Sequence, residues 1–171
     1  MPILDANTME FFSRSPDQTR RAGMRLGALI QAGDLICLSG ELGAGKTTLV
    51  QGMAQGWGSL DSVSSPTFVL VNEYRRPGGQ VLHHLDAYRL NHAWEAEELD
   101  LDLMLENGPL VLEWPERIEG ILPPMRLWVA MRWMADEQRG MAFVAHGPRY
   151  QQVLTELHRR MYGAVEDYGG G

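Results

Sequence analysis

The sequence predicts an α/β domain on a mixed sheet, and three observations predict it. First, the apolar run Leu35-Ile36-Cys37-Leu38 leads into a glycine-rich segment and then a helix-compatible stretch, the order of a strand–loop–helix unit. Second, two more apolar runs, Val81 to Leu85 and Leu110 to Leu112, each end in an acid, Asp86 and Glu113. Third, two pairs of strand-like runs are separated by turn residues, which predicts antiparallel hairpins, so that only the central strands need be parallel. With 171 residues and 44% hydrophobic content, the chain has enough material for one core and too little for two ordinary domains. One domain is expected over residues 1–163, with a disordered tail over 164–171.

The elements follow in order. Ser15-Pro16-Asp17-Gln18 reads as a helix start, with Ser15 as N-cap, Pro16 in the first turn and Gln18 completing a capping box. Ala22, Leu26, Leu29 and Ile30 repeat at helical spacing until Gly33. After the first apolar strand and the glycine loop, Thr47 to Trp57 reads as a helix. Ser62 to Pro66 is a polar break, followed by strands Phe68 to Tyr74 and Gln80 to Asp86 across a Pro77-Gly78-Gly79 turn. Trp94 to Glu106 is expected to be one helix. Its six acids, Glu95, Glu97, Glu98, Asp100, Asp102 and Glu106, suit a solvated face better than a docking surface. Gly108 to Pro115 holds another short strand, Leu127 to Trp133 and Met141 to Ala145 make a second hairpin, and Tyr150 to Met161 a final helix. No internal repeat is present.

The chemistry is concentrated in Gly40-Glu41-Leu42-Gly43-Ala44-Gly45-Lys46-Thr47-Thr48, a full GxxxxGK[ST] phosphate-binding loop, and the fold expected is that of a P-loop NTPase. Glycines let backbone N–H groups approach phosphate oxygens closely. Lys46 would reach the β and γ phosphates, the Thr47 hydroxyl would join a Mg²⁺ shell, and the N-terminus of the following helix adds partial positive charge. A nucleoside triphosphate with Mg²⁺ is therefore the expected ligand, and the lack of an Asn-Lys-x-Asp or Thr-Lys-x-Asp segment late in the chain favours ATP.

Hydrolysis also needs groups that hold the metal and orient the nucleophile, usually acids at strand ends beside the loop. Asp86 and Glu113 fit, since open α/β sheets place ligands at the C-terminal ends of their strands. A lone acid there also serves as a turn or cap residue; two in a chain with this loop point toward function. Ser65-Pro66-Thr67-Phe68 stands either as a nucleotide-sensing switch or as a proline-led strand start. His83 and His84 lack a second ligand at metal spacing and read as packing residues. Arg89 suits a phosphate contact or a surface ion pair equally. Trp57 and Trp114 read as packing residues, although Trp114 adjoins Glu113 and is placed to brace it.

Composition narrows the setting. The single cysteine, Cys37, excludes an internal disulfide framework and a cysteine-based zinc cluster, and fits a reducing compartment. The first ten residues have neither a basic start nor an apolar signal core, and no stretch approaches a membrane span. A soluble, cytoplasmic protein is expected. The formal net charge of -7 argues against a broad phosphate-contacting surface for nucleic acid.

The runs G-E-L-G-A-G-K-T-T-L-V-Q-G, S-S-P-T-F, H-H-L-D-A-Y-R-L, E-E-L-D and V-L-E-W-P-E-R, in this order, resemble the TsaE family, formerly called YjeE. Its members are bacterial P-loop ATPases of tRNA threonylcarbamoyladenosine synthesis. The resemblance spans roughly residues 35 to 124 and departs from the pattern at Ala87, where the family usually has a larger aliphatic residue. It implies an ATPase that works with TsaD and TsaB, the proteins that transfer the threonylcarbamoyl group, and resets that assembly between turnovers. tRNA would be met only indirectly, through the complex. Carried over by motif, Gly40 to Thr48 would bind the triphosphate, Thr47 and Glu113 would hold Mg²⁺, Asp86 and Lys46 would act in hydrolysis, and Thr67 would be a switch near the γ phosphate. Which of Asp86 and Glu113 touches Mg²⁺ stays open.

Rival functions make different demands. A GTPase would carry an Asn-Lys-x-Asp or Thr-Lys-x-Asp segment late in the chain, and the sequence has none. A small-molecule or nucleoside kinase, the main alternative, would want an arginine-rich lid, whereas Arg75-Arg76 is the only late basic pair before His158-Arg159-Arg160. A nucleotide-dependent binding module with negligible turnover is the third reading.

Overall fold

The computed structural model describes residues 3–5, 7–63, 70–92 and 94–169. Strands β1 (Ile3–Asp5), β2 (Thr8–Ser13), β3 (Leu35–Ser39), β4 (Val71–Arg75), β5 (Val81–Asp86), β6 (Leu110–Glu113), β7 (Arg126–Ala135) and β8 (Gln138–His146) form one sheet. Its order is β1-β2-β8-β7-β3-β6-β5-β4. β3 pairs in parallel with β6 and β7, and β5 in parallel with β6, while the two ends of the sheet are antiparallel. This is the mixed α/β architecture the sequence predicts.

Helices cover both faces. Ile36 and Leu38 of β3 point into a core shared with α1 (Pro16–Gly27), α2 (Lys46–Trp57) and α5 (Pro148–Gly169), through Leu26, Leu49, Met53 and Leu154. Leu35 and Cys37 point the other way, into a second core with Ala96 of α3 (Trp94–Glu97) and Leu101 of α4 (Leu101–Asn107). Strand alternation separates the two sets. The single cysteine is a core residue; burial pushes its thiol up to about 12.

The N-terminal half of the first core is set by glycine. An added Cβ at Gly27 would lie 2.0 Å from the Met53 carbonyl oxygen, at Gly52 2.0 Å from that of Arg20, and at Gly56 2.0 Å from that of Met24. α1 and α2 therefore meet backbone to backbone, a close packing that small residues alone permit. Ser15 accepts from the Gln18 amide at 3.2 Å as the expected N-cap, but the Gln18 side chain accepts from the Arg14 amide, not from that of Ser15.

Several boundaries differ from expectation. α1 ends at Gly27, six residues before Gly33, because the chain passes the close contact with α2 there and turns into the β3 approach; Gly33, at φ +92°, makes that turn. The acidic stretch is two short helices. Asp100 adopts φ +54° and accepts from the Leu103 amide at 3.2 Å, so it starts α4 afresh as an N-cap. Among its acids Glu97, Glu98, Asp100, Asp102 and Glu106 face solvent. β1 and β2 add an antiparallel flank on β8 that the sequence reading did not include. α5 runs past Met161 to Gly169, into the stretch expected as a tail. Strand β4 starts at Val71; the Ser65-Pro66-Thr67-Phe68 segment, with Thr67, lies outside the described residues. Among the described residues no helix is long and apolar enough to cross a membrane.

The glycine contact predicts an inverted substitution effect. Gly→Ala inside a helix normally stabilises by about 1 kcal/mol. Gly52→Ala should instead destabilise by about 2 kcal/mol, since the methyl must push the Arg20 backbone away. A lowered urea midpoint with an unchanged slope checks this.

Candidate functional site

Parallel pairing brings the chemistry to one edge. Asp86, the last residue of β5, stands in register with Glu113, the last of β6, and Glu113 with Leu38 of β3, which opens into the glycine loop. Side-chain alternation then puts both carboxylates on the same face of the sheet. Beyond the strand ends a cleft of ≈ 710 Å³ is lined by Gly43, Lys46, Thr47, Asp86, Glu113 and Trp114 among others, a volume in the range of small-ligand sites.

Within the loop, Gly40, Gly43 and Gly45 take φ of +145°, +83° and +100°. At Gly40 a Cβ would fall 2.5 Å from the Met131 carbonyl oxygen of β7, so sequence and neighbouring strand together demand glycine there. Gly45 caps α2, whose free N–H groups face the cleft. Leu42, Thr47 and Thr48 line the cleft, whereas Ala44 is buried beneath the loop and Glu41 faces solvent. Of the residues expected to bind nucleotide, Gly40, Glu41 and Ala44 thus shape the loop without lining the cleft.

Lys46 is 6% exposed. Its ammonium donates to the Gly40 carbonyl and sits 3.8 Å from the centre of the Trp114 ring. Burial pushes the Lys46 ammonium below its ordinary value, and the Glu113, Asp86 and Glu116 carboxylates pull the other way. Trp114 holds φ +58°, unusual for a bulky residue. Its amide donates to Leu38 at 3.2 Å, and its ring packs on Tyr88 at 5.0 Å between centroids.

The two acids differ in their surroundings. Asp86 Oδ1 accepts from the Tyr88 amide at 3.0 Å, and Arg89 Nε lies 3.8 Å from Oδ2. Burial raises the Asp86 carboxyl above its ordinary value against that amide bond, with the Glu113 charge adding to the rise. Glu113 is more deeply buried, 6% exposed, and its Oε2 lies 2.6 Å from His84 Nε2. The Nδ1 of His84 lies 3.0 Å from the Tyr74 hydroxyl. His84 is therefore packed, as the sequence suggests, and also bonded to a cleft carboxylate, which it does not suggest. His83 points to the other face, 3.8 Å from Glu73.

One further cation reaches the loop. Arg139 of β8 donates from Nε to the Gly43 carbonyl at 3.2 Å and lines the cleft. Nothing local in the sequence marks it, because its position depends on β7 and β8 lying beside β3. Among the described residues no group of three or more His, Cys, Asp or Glu side chains is arranged to hold a metal ion. The donor set that is present, the Thr47 hydroxyl and the Glu113 carboxylate beside a phosphate loop, fits Mg²⁺, which is usually bound by one or two protein groups plus substrate phosphates and water.

Residues 13–141 match the family model described as "Threonylcarbamoyl adenosine biosynthesis protein TsaE". The chain is 38% identical over 146 residues to a tRNA threonylcarbamoyladenosine biosynthesis protein TsaE of Bacillus subtilis, covering 85% of this chain and 90% of the relative. It is 43% identical over 137 residues to the protein of that name from Streptomyces coelicolor, covering 77% and 93%. The crystal structure of Bacillus subtilis YdiB superposes with a TM-score of 0.74 at 32% identity, covering 90% of this chain and 95% of the other.

The raised Asp86 carboxyl predicts a stability gain on neutralisation. The folded state holds this proton more tightly than the unfolded chain, so stability is lost as pH rises through the carboxylate range and the loss is complete above it. Asp86→Asn, which keeps an oxygen for the Tyr88 amide, should therefore melt higher at pH 7. Its advantage should fade as the pH falls below that range, as read by thermal scans across pH.

Proposed function

The chain belongs to the TsaE family, proteins of tRNA threonylcarbamoyladenosine biosynthesis, and from that premise we propose that it is a Mg²⁺-dependent ATPase whose turnover resets or regulates a TsaB–TsaD complex. One observation carries the reading: two carboxylates in register on adjacent parallel strands meet the lysine and threonine of a phosphate loop in a single cleft. A loop alone would support binding, and the paired acids add the means to hydrolyse.

In this reading the glycine-loop amides and the N-terminus of α2 hold the phosphates of ATP. Lys46 leaves the Gly40 carbonyl and the Trp114 ring to neutralise the γ phosphate. Thr47 and Glu113 would hold Mg²⁺, which would supply charge neutralisation to the bound triphosphate. Asp86 orients the attacking water, its charge left incompletely solvated by burial. Arg139 and Arg89 line the same cleft and add positive charge beside it. Thr67 keeps the role of switch residue near the γ phosphate. The formal charge of -7 suits contact with tRNA through partner proteins, in the cytoplasm, better than direct binding.

Lys46→Ala should weaken Mg·ATP binding roughly 10- to 150-fold, the effect of losing one charged hydrogen bond; titration calorimetry reads it. Asp86→Ala and Glu113→Ala should lower kcat by at least about 100-fold while changing ATP affinity less than about tenfold. Equal losses in both would point to a structural role for the acids. The decisive assay is ATP hydrolysis by the protein alone and with a purified TsaB–TsaD pair, with multiple-turnover tRNA modification followed in parallel. Partner-stimulated hydrolysis with repeated modification is expected. Transfer of phosphate to a small acceptor without any partner effect would establish the kinase alternative instead.

A further inference from the structure

We propose that His84 and Tyr74 are positioning residues for hydrolysis: Tyr74 holds His84, and His84 holds one oxygen of Glu113 and so aims the other into the cleft that Thr47 also lines. This rests on the ATPase reading above. It concerns two residues that touch neither nucleotide nor metal in that reading.

The sheet dictates the alignment. Tyr74 of β4 pairs with Leu82 of β5, and His84 stands two residues beyond Leu82. His84 in turn pairs with Val111 of β6, and Glu113 stands two residues beyond Val111. Steps of two keep all three side chains on one face, so a line of polar groups crosses three strands from the sheet edge to the cleft. Each member is buried: Tyr74 is 4% exposed and His84 1%.

Hydrogen-bond bookkeeping then fixes the direction. A carboxylate only accepts, so His84 donates its Nε2–H to Glu113 Oε2 over 2.6 Å. In the neutral imidazole Nδ1 then carries the lone pair, and the Tyr74 hydroxyl donates to it over 3.0 Å. The hydroxyl keeps its proton to do so, since burial pushes it up to about 12. Both ring nitrogens of His84 are thus paired, which sets the orientation of the imidazole. A carboxylate held by one oxygen from behind is restrained in its rotation, and because Glu113 lines the cleft the other oxygen is the one left to face it. Outer partners of this kind typically alter metal affinity or activity 10- to 100-fold when removed.

Tyr74→Phe removes one hydroxyl far from the cleft and keeps the packing; His84→Gln retains a donor, whereas His84→Leu does not. Calorimetric affinity for ATP would be measured with Mg²⁺ and with EDTA, together with kcat. Tyr74→Phe and His84→Leu should lower kcat by about 10- to 100-fold and weaken Mg²⁺-dependent binding by less than about tenfold, with KM following that affinity. Affinity in EDTA should match the parent, and His84→Gln should recover part of the loss. If the parent hydrolyses ATP and Tyr74→Phe equals it in both metal-dependent affinity and kcat, the positioning role is overturned. A variant that loses affinity equally with and without Mg²⁺ overturns it too, showing a general packing defect. A parent that neither binds nor hydrolyses ATP overturns the ATPase reading itself, and the positioning role with it.

Discussion

The register of three parallel strands governs everything at the functional edge. β6 and β5 end level, at Glu113 and Asp86, and β3 runs one residue further, with Leu38, Glu113 and Asp86 as successive partners across the sheet. Because side chains alternate along a strand, a slip of one residue in β5 against β6 would send His84 to the face opposite Glu113 and part the acid from the imidazole that lies 2.6 Å away. The register is pinned by burial. Leu35 to Leu38 and Leu110 to Leu112 are enclosed on both faces, and a slip would exchange their places in two separately packed cores. Hydrophobic packing far from the cleft thus decides where its charges stand.

The second determinant is the depth to which α2 sinks against α1. With no side chains between them at Gly27, Gly52 and Gly56, the two helices lie in direct backbone contact, and the loop that opens α2 starts from that close-packed pair. Gly40, caught against the Met131 carbonyl, pins the loop from its other end. The phosphate loop is therefore clamped at both of its ends, by a helix pair and by a neighbouring strand.

How much of this was legible in the sequence depends on how local the signal is. The loop, its flanking strand and helix, and the acids at the ends of β5 and β6 are encoded within stretches of a few residues, and their places in the structure agree with that reading. The break at Asp100 was harder, because an acid inside an acidic stretch gives no contrast until its backbone is seen to turn left-handed. The glycines of α1 and α2, Gly23 with Gly27 and Gly52 with Gly56, form no part of the sequence reading, because their meaning needs the partner helix. β2 is too short and mixed in pattern to announce itself, and it is completed only by the ladder it forms with β8. His84 and Arg139 are the instructive cases. Each has an ordinary sequence setting; His84 meets the cleft carboxylate Glu113 and Arg139 lines the cleft, each through a strand pairing that no single segment encodes.

The contact between Lys46 and the indole of Trp114 has a thermodynamic consequence for any ligand that recruits this ammonium. The lysine is already occupied, by the Gly40 carbonyl and by the ring at 3.8 Å. A cation–π contact of about 0.5–2 kcal/mol must be given up in exchange, so its free energy is subtracted from the intrinsic affinity, a loss of up to about thirtyfold. The same exchange sharpens selection between ligands. A nucleotide whose terminal phosphate replaces both of the lysine's resting partners recovers what it displaces, while one that stops short of Lys46 leaves the resting pair intact and gains nothing from it. The ring thereby acts as an internal competitor, setting a threshold of charge that an incoming molecule has to exceed.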